Sequence, residues 1–578
     1  MMMSSKKQKP IARKRTPNIV PPTDMSDKLK IIPLGGMEEV GRNMTLLEYK
    51  NDIILIDMGL QFPEEDMPGI DYIIPNISYL KGREKYIKGV IITHGHYDHI
   101  GAIPHLIPAL GRPPIFGSAL TLGIIAKRQD DYKTGGKLDL RAINNTSRLR
   151  LGLFDVEFFG VSHNIPGSMG IIIRTPVGIV VHTGDFKIDL QPSGDTPTDI
   201  AKIAGLHDQN VLAMMSDSTN ATQPGHQFSE SEIKGNMEDI FRTAPGRMII
   251  GTFASLLGRV QQIVQLAEKY NRKVILDGFS MRTNVEIAQQ LGYMHIKPDT
   301  LITYDDMKRY PSQRLVIVCT GAQGEDRAVL MRLANREHRF TTIEKGDTVI
   351  FSSSVIPGNE RSVTRLVDTL YREGAEVINY KMMDIHSGGH AKQEDLKLML
   401  RLVNPKYLIP IEGNHSFLHA HAKVAISAGF DPKNIFIADN GQVLEFTKQG
   451  GRMTSKKVPS DYVMVDGLGV GDVSEVVLRD RQQLAADGMV IIIATIHGKT
   501  GHLVGQPDII SRGFVYMKSQ QQLIDQTLQR VKKILIDHEP KASLNDTYIR
   551  NKLRDDIGQF LFQKTERRPM ILPVVIEV

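Results

Sequence analysis

Residues 93–99 read Thr-His-Gly-His-Tyr-Asp-His, placing three imidazoles and a carboxylate within six positions. His94 and His96 lie two apart, so on an extended segment they face the same way and can share one cation. Asp98 and His99 follow as the chain turns and point at a neighbouring position. The pattern is half of a two-metal site, and imidazole with carboxylate is a donor set that suits zinc. A polar loop with incidental histidines would not space them as H-x-H-x-D-H.

The rest of such a site must come from other segments, and the chain offers them in a repeated form. Val90-Ile91-Ile92 reads as a buried strand leading into the cluster. Ile53 to Ile56 is an apolar strand that ends on Asp57. Val156 to Val161 ends in Ser162-His163, Gly178 to Val181 in His182-Thr183-Gly184-Asp185, and Val211 to Met215 in Ser216-Asp217. Strands that each deliver a polar residue at the carboxyl end line those residues along one rim of a sheet. His163 and Asp185 thereby join the cluster. A second stretch, Asp384-Ile385-His386-Ser387-Gly388-Gly389-His390, places two histidines around a glycine turn ahead of a helix start, an arrangement suited to anions.

At 578 residues the chain exceeds a single core and calls for two to four domains. A hydrophobic share of 41% and a charged share of 24% are those of a soluble globular protein. One cysteine, Cys319 within an apolar run, excludes a disulfide framework and fits a reducing cytoplasm. The longest apolar run, Met489 to Ile496, is far too short for a membrane span. The net charge of +6 is concentrated in a basic, proline-containing head at 1–29, read either as an arm for a polyanion or as a solvated tail.

From Lys30 onward, short apolar runs alternate with amphipathic stretches, the signature of sheets covered by helices. Ser229 with Glu232 predicts a capping box opening a helix toward Phe241. Alternating strands and helices follow, including a helix over 258–270 and another from Thr283. Gly450-Gly451 and the lysines after them predict a linker at 451–464. The final segment, 465–578, predicts strands at 474–478, 489–496 and 513–517 and two helices with apolar stripes.

These motifs resemble ribonuclease J, a metallo-β-lactamase-fold nuclease family carrying a β-CASP insertion. The resemblance rests on Asp57 at a strand end, T-H-G-H-Y-D-H at 93–99, S-H-N-I-P at 162–166, H-T-G-D-F-K at 182–187, S-D-S-T-N at 216–220 and R-R-P-M-I-L-P at 567–573. It implies an α/β architecture: a metallo-β-lactamase αββα sandwich over 30–222 and 384–450, interrupted by an α/β β-CASP domain at 223–383, plus a small C-terminal α+β oligomerisation domain at 465–578. It implies that His94, His96 and His163 hold one zinc ion, that Asp98 and His99 hold a second, and that Asp185 bridges them. Asp57 would orient the histidine loop. Asp217, His390 and Asp98 would serve catalysis, with His386, Ser387, Gly388, Gly389 and His390 on the RNA phosphates.

The implied activity is 5′-to-3′ exonucleolytic and endonucleolytic cleavage of single-stranded RNA, in mRNA decay and rRNA maturation. A cytoplasmic homodimer or homotetramer is expected, with an RNA-degradation complex or the ribosome as a further partner. Three departures from the family pattern stand out. The loop is His-Ser-Gly-Gly-His where the family has H-x-S-G-H. Glu412-Gly413-Asn414 stands where the family has His-Gly-Glu, so Glu412 or else His415 must complete the second site, and a carboxylate there would admit manganese or magnesium. Leu256-Leu257-Gly258 replaces more polar residues. A β-CASP nuclease acting on DNA, an ester or thioester hydrolase, and an inactive RNA-binding scaffold are the competing readings.

Overall fold

A computed structural model describes residues 26–64, 66–132, 136–192, 195–325, 328–353, 355, 359–379, 388–473, 475–498, 502–515, 520–536 and 546–578. The basic head to residue 25, His386 and Ser387 lie outside the described residues. The chain divides into two compact units. One runs to Gln61 and continues over Ile74–Tyr462, and the other joins Phe62–Ile73 to Val463–Val578.

Two sheets face each other in the first unit. Among the described residues, one orders its strands as Gly451–Lys457, Gln442–Phe446, Leu29–Gly35, Met44–Tyr49, Asp52–Ile56, Ile87–Ile91, Ile115–Gly117 and Leu140–Ala142. The other runs Tyr407–Ile411, Val211–Asp217, Ile179–His182, Met169–Arg174, Phe154–Gly160 and Arg148–Leu151. Leu47, Ile54 and Ile91 from the first sheet pack against Phe158, Ile171 and Ile409 from the second in one buried core. The second sheet's other face is covered by helices Gln393–Val403 and His415–Ser427, through Leu396, Met399, Val424 and Ala425. This is the layering expected of an αββα sandwich.

Strands Ile179–His182, Val211–Asp217 and Tyr407–Ile411 run parallel, with His182 opposite Met215 and Asp217 opposite Ile411. Their carboxyl ends therefore share one rim. Between Asp217 and Tyr407 the chain leaves the sheet to build a separate parallel sheet, ordered Lys273–Asp277, Leu315–Cys319, Met248–Gly251, Thr348–Phe351 and Glu376–Asn379. A buried ion network ties this insertion to the sandwich. Glu230, at the start of helix Glu230–Thr243, accepts from Lys187 Nζ at 3.1 Å and Arg259 Nη2 at 2.8 Å. Arg259 Nη1 also reaches Ser352 Oγ at 2.6 Å.

The second unit pairs Met489–Ile496 with Asp508–Arg512 and Met570–Glu577. Helices Gln521–Ile536 and Asp546–Thr565 cover one face of that sheet.

Several local expectations need correction. Residues 451–457 are a strand, not linker: a turn closed by Thr447 and Gly450 folds them antiparallel onto Gln442–Phe446. Glu475–Asp487 is helical where a strand was expected at 474–478. Of the strand expected at 513–517, residues 516 and 517 lie outside the described residues; 513–515 are not in a strand, and a strand precedes them at Asp508–Arg512. The helix expected from Thr283 begins at Phe279, and Ser229 caps its helix by accepting from Ser231 N rather than through a box with Glu232.

Candidate metal centre

The sandwich rim gathers side chains from segments up to several hundred residues apart. Strand Ile87–Ile91 leads to His94, and the turn after it starts helix Tyr97–Ile100, which carries Asp98 and His99. The turn sits against the loop after Asp57. Leu60 N donates to Tyr97 O, and a Cβ on Gly59 would stand 1.5 Å from Asp98 O, so only glycine fits there.

His94 Nε2 and His163 Nε2 lie 3.7 and 3.6 Å from Asp185 Oδ2, and each lies 3.1 Å from His96 Nδ1. Metal–ligand bonds of about 2.0–2.1 Å set tetrahedral edges of about 3.3 Å, so the four atoms are spaced as corners around one cation. On the other side of Asp185, Oδ1 lies 3.4 Å from His99 Nε2, which is 3.6 Å from Asp98 Oδ2. Asp185 thus presents one oxygen to each group, and its buried Oδ1 has no hydrogen-bond partner. A buried carboxylate oxygen without a hydrogen bond, set among ring nitrogens at ligand spacing, fits a cation.

Neighbouring groups aim these lone pairs. His163 Nδ1–H donates to Gly389 O at 2.7 Å, leaving Nε2 free. Thr93 Oγ1 donates to Asp57 Oδ2 at 2.9 Å, so its oxygen must accept from His94 Nδ1–H at 3.0 Å. His99 Nδ1–H donates to Asp57 Oδ2 at 2.8 Å, and Asp57 Oδ1 accepts from Thr93 N. One buried carboxylate therefore fixes two of the ring orientations, directly or through Thr93. Asp57 and Glu412 both end strands at φ 59°, a left-handed conformation that costs a non-glycine residue energy and marks both strand ends as locally strained.

Electrostatics follow from burial and neighbours. Burial holds the His94 and His163 pKa well below the usual imidazole value and brings His96 to about 4, so these rings are neutral donors. For His99 burial acts the same way, but Asp185, Asp98 and Asp57 outweigh it and raise the value well above normal. Burial would raise Asp185, yet His99 and its neighbours hold it well below the carboxylate range. Glu412 lies against Asp185, and burial with that like charge pushes its pKa well above normal. Its Oε2 is buried without a hydrogen-bond partner.

Asp217 Oδ2 accepts from His390 Nδ1 at 2.9 Å, and His390 Nδ1 is 3.8 Å from Asp185 Oδ2. Burial opposes charge on His390, but Asp217 and Asp185 together raise it to about 9. Asn220 Nδ2 and Gln227 Nε2 both donate to His390 O, and a Cβ on Gly389 would stand 2.4 Å from the His163 ring. The returning chain is thus clamped over the cluster, with Gly388 beside Asn220 and Gln227.

His415 points elsewhere. Its Nε2 faces Glu38 Oε1 at 3.2 Å and Asp439 Oδ1 at 3.4 Å on the surface, away from Asp185. Sequence reasoning missed Asn43, whose Nδ2 lies 3.0 Å from His99 Nε2, and gave no role to the buried His182, which accepts from Gly184 N. Neither stands in a spaced pattern of ligand types, though His182 ends a strand of the same rim. Cys319 is fully buried, and burial raises its thiol pKa, as a core filler requires.

Comparison with known proteins agrees with this arrangement. Residues 37–226 match the metallo-beta-lactamase superfamily, 245–370 the beta-CASP domain of ribonuclease J, and 476–578 the ribonuclease J C-terminal domain. Ribonuclease J2 of Bacillus subtilis is 39% identical over 553 residues, covering 96% of this chain and 99% of that protein. Ribonuclease J 1 of Streptococcus pyogenes is 39% identical, over 95% and 98%. Ribonuclease J 2 of Staphylococcus aureus strain MRSA252 is 36% identical, over 95% and 98%. A solved Enterococcus faecalis protein of unknown function shares the fold at TM-score 0.53 and 16% identity, over 72% of this chain and 100% of that one. A metallo-β-lactamase domain, a β-CASP insertion and the C-terminal domain in this order, matched along nearly the whole length, make the chain a member of the ribonuclease J family.

Proposed function

We propose that the chain is a metal-dependent nuclease that hydrolyses phosphodiester bonds of single-stranded RNA, cutting 5′-to-3′ from an end and internally. The observation that carries this reading is Asp185, whose two oxygens face two separate donor groups. His94, His96 and His163 would hold one cation with Asp185, and Asp98 and His99 the other, zinc being the ion these donors suit. Glu412 is the additional donor for the second position, where its carboxylate also suits manganese or magnesium. Bound as a pair, such cations activate water and stabilise the oxygens of an in-line displacement at phosphorus.

The chain's own residues supply the rest. Asp57 and Thr93 hold the imidazoles in their donor orientation before substrate arrives. His390, kept protonated at neutral pH by Asp217 and Asp185, offers a charged N–H to a phosphoryl oxygen and a proton to the departing 3′-oxygen. Gly388 and Gly389 let the substrate backbone approach this histidine closely, and His386 and Ser387 precede them as further phosphate contacts.

In RNA decay and maturation such an enzyme would work in the cytoplasm, with an RNA-degradation complex or the ribosome as partner. Among the described residues no helix is long and apolar enough to cross a membrane. Assembly as a homodimer or homotetramer through residues 465–578 is supported by Leu572, Val574 and Ile576, which expose an apolar row on strand Met570–Glu577.

The test uses 5′-monophosphorylated single-stranded RNA and DNA of one sequence, labelled at the 3′ end. Release of nucleotides from RNA, with DNA cut far more slowly, is the expected result. Equal digestion of both would favour a DNA nuclease, and no digestion would favour the inactive scaffold.

A further inference from the structure

A cleft outside the metal cluster carries features that the proposed chemistry does not use. It lies between helices Ala119–Gln129 and Phe279–Gln290, and Tyr97, Ile124, Lys127, Arg128, Phe279 and Ile287 are among the residues that line it. Its floor is tight: a Cβ on Gly123 would come within 2.8 Å of Ile287 Cγ2. Its walls are aromatic and open. Phe279 is 67% exposed and Tyr97 38%, a high exposure for large rings in a packed region.

The backbone sets where Phe279 stands, and Tyr97 is held by side-chain contacts as well. Strand Lys273–Asp277 ends at Gly278, whose φ of 113° turns the chain so that Phe279 becomes the first residue of its helix, at the strand's carboxyl end. Tyr97 is fixed by its helix and by Arg128, whose guanidinium lies 4.6 Å from the ring centroid. Arg128 Nη2 donates to Gly101 O at 3.2 Å and to Tyr132 OH at 3.3 Å, while its Nε is buried without a partner. Among the described residues Arg128 forms no ion pair; exposed Lys127 lines the cleft beside it, so that two cations face the one carboxylate there, Asp131.

Exposed rings, a stacked guanidinium and a net positive lining are what proteins use to hold unpaired nucleotides, because every base has a π-face and every nucleotide a phosphate. Tyr97 is also the residue directly before Asp98, so this cleft adjoins the metal cluster. We propose that the cleft walled by Tyr97, Arg128 and Phe279 receives an unpaired base of the RNA strand undergoing cleavage, and thereby sets the grip on single-stranded substrate. This rests on the RNA nuclease reading given above.

The experiment is a coupling measurement on the full chain. Affinity is measured by fluorescence anisotropy, and cleavage by gel, for single-stranded RNA with one abasic residue walked along the strand. Phe279→Ala, at an exposed position, is compared with Phe279→Tyr. One abasic position should weaken binding to the parent protein about 10-fold, the scale of one stacked base. Phe279→Ala should weaken binding to intact RNA by a similar factor. Combining the two should cost no more than either alone, and Phe279→Tyr should restore affinity. Additive losses, or no sensitive abasic position, would overturn the assignment of the cleft while leaving the nuclease reading intact. A parent protein that neither binds nor cuts RNA would overturn both.

Discussion

Asp185 carries the largest single consequence in the molecule, because both donor groups converge on its two oxygens. Asp185→Asn is expected to abolish hydrolysis and to lower bound metal at both positions, read by elemental analysis of the purified protein. A variant that cuts at the parental rate would remove the bridging role. Asp57 touches no proposed cation but orients His99 directly and His94 through Thr93. Asp57→Asn should therefore weaken metal affinity by about 10–100-fold, with the fold retained by circular dichroism. Glu412→Ala should lose one metal equivalent while His415→Ala loses none, because His415 faces Glu38 and Asp439. Sequence spacing could not separate these two candidates. One ends a strand on the rim and the other begins the next helix, and only the backbone turn at Glu412 decides which points inward. The cluster at 93–99, with His163 and Asp185, was by contrast legible, since each follows an apolar strand and so had to share a rim.

At the level of elements, the join between insertion and sandwich is held by charge. Burial would raise the Glu230 pKa, but Arg259 and Lys187 pull it down to about 2. A carboxylate whose folded pKa is depressed stabilises the fold fully above its unfolded value near 4.5, and that contribution fades as pH falls toward about 2. Glu230→Gln removes the carboxylate that Lys187 and Arg259 share, leaving Asp189 at 3.7 Å from Lys187 and Ser352 beside Arg259, and breaking this buried pairing costs up to about 3–5 kcal/mol. Denaturant melts at neutral pH should show this loss, with the gap between variant and parent narrowing as pH drops below 4.5. A gap independent of pH would contradict the assignment. Sequence patterning located most of these strands because buried apolar runs are self-evident. It failed at 474–478, where Val476 and Val477 suggested a strand but the following residues extend a helix to Asp487. It failed again at 451–457, where an edge strand with mostly exposed side chains has the composition of a linker.

Across the whole chain, the unit boundaries were the least legible feature. Residues 62–73 belong with the C-terminal unit through Ile70, Ile73 and Met464, a pairing across almost 400 positions that local pattern cannot announce. The same unit exposes Leu572, Val574 and Ile576 along one strand. Val574→Glu should shift the protein toward monomers in analytical ultracentrifugation, and an unchanged mass would exclude this face from assembly. For the molecule as a nuclease, RNA cleavage must track occupancy of the cradle around Asp185. Protein stripped by chelation would be titrated with zinc while bound metal and hydrolysis of single-stranded RNA are followed together. The rate should climb from near zero and level off once two ions are held per chain. Full cleavage by the stripped protein, or none at saturation with any divalent ion, would contradict it.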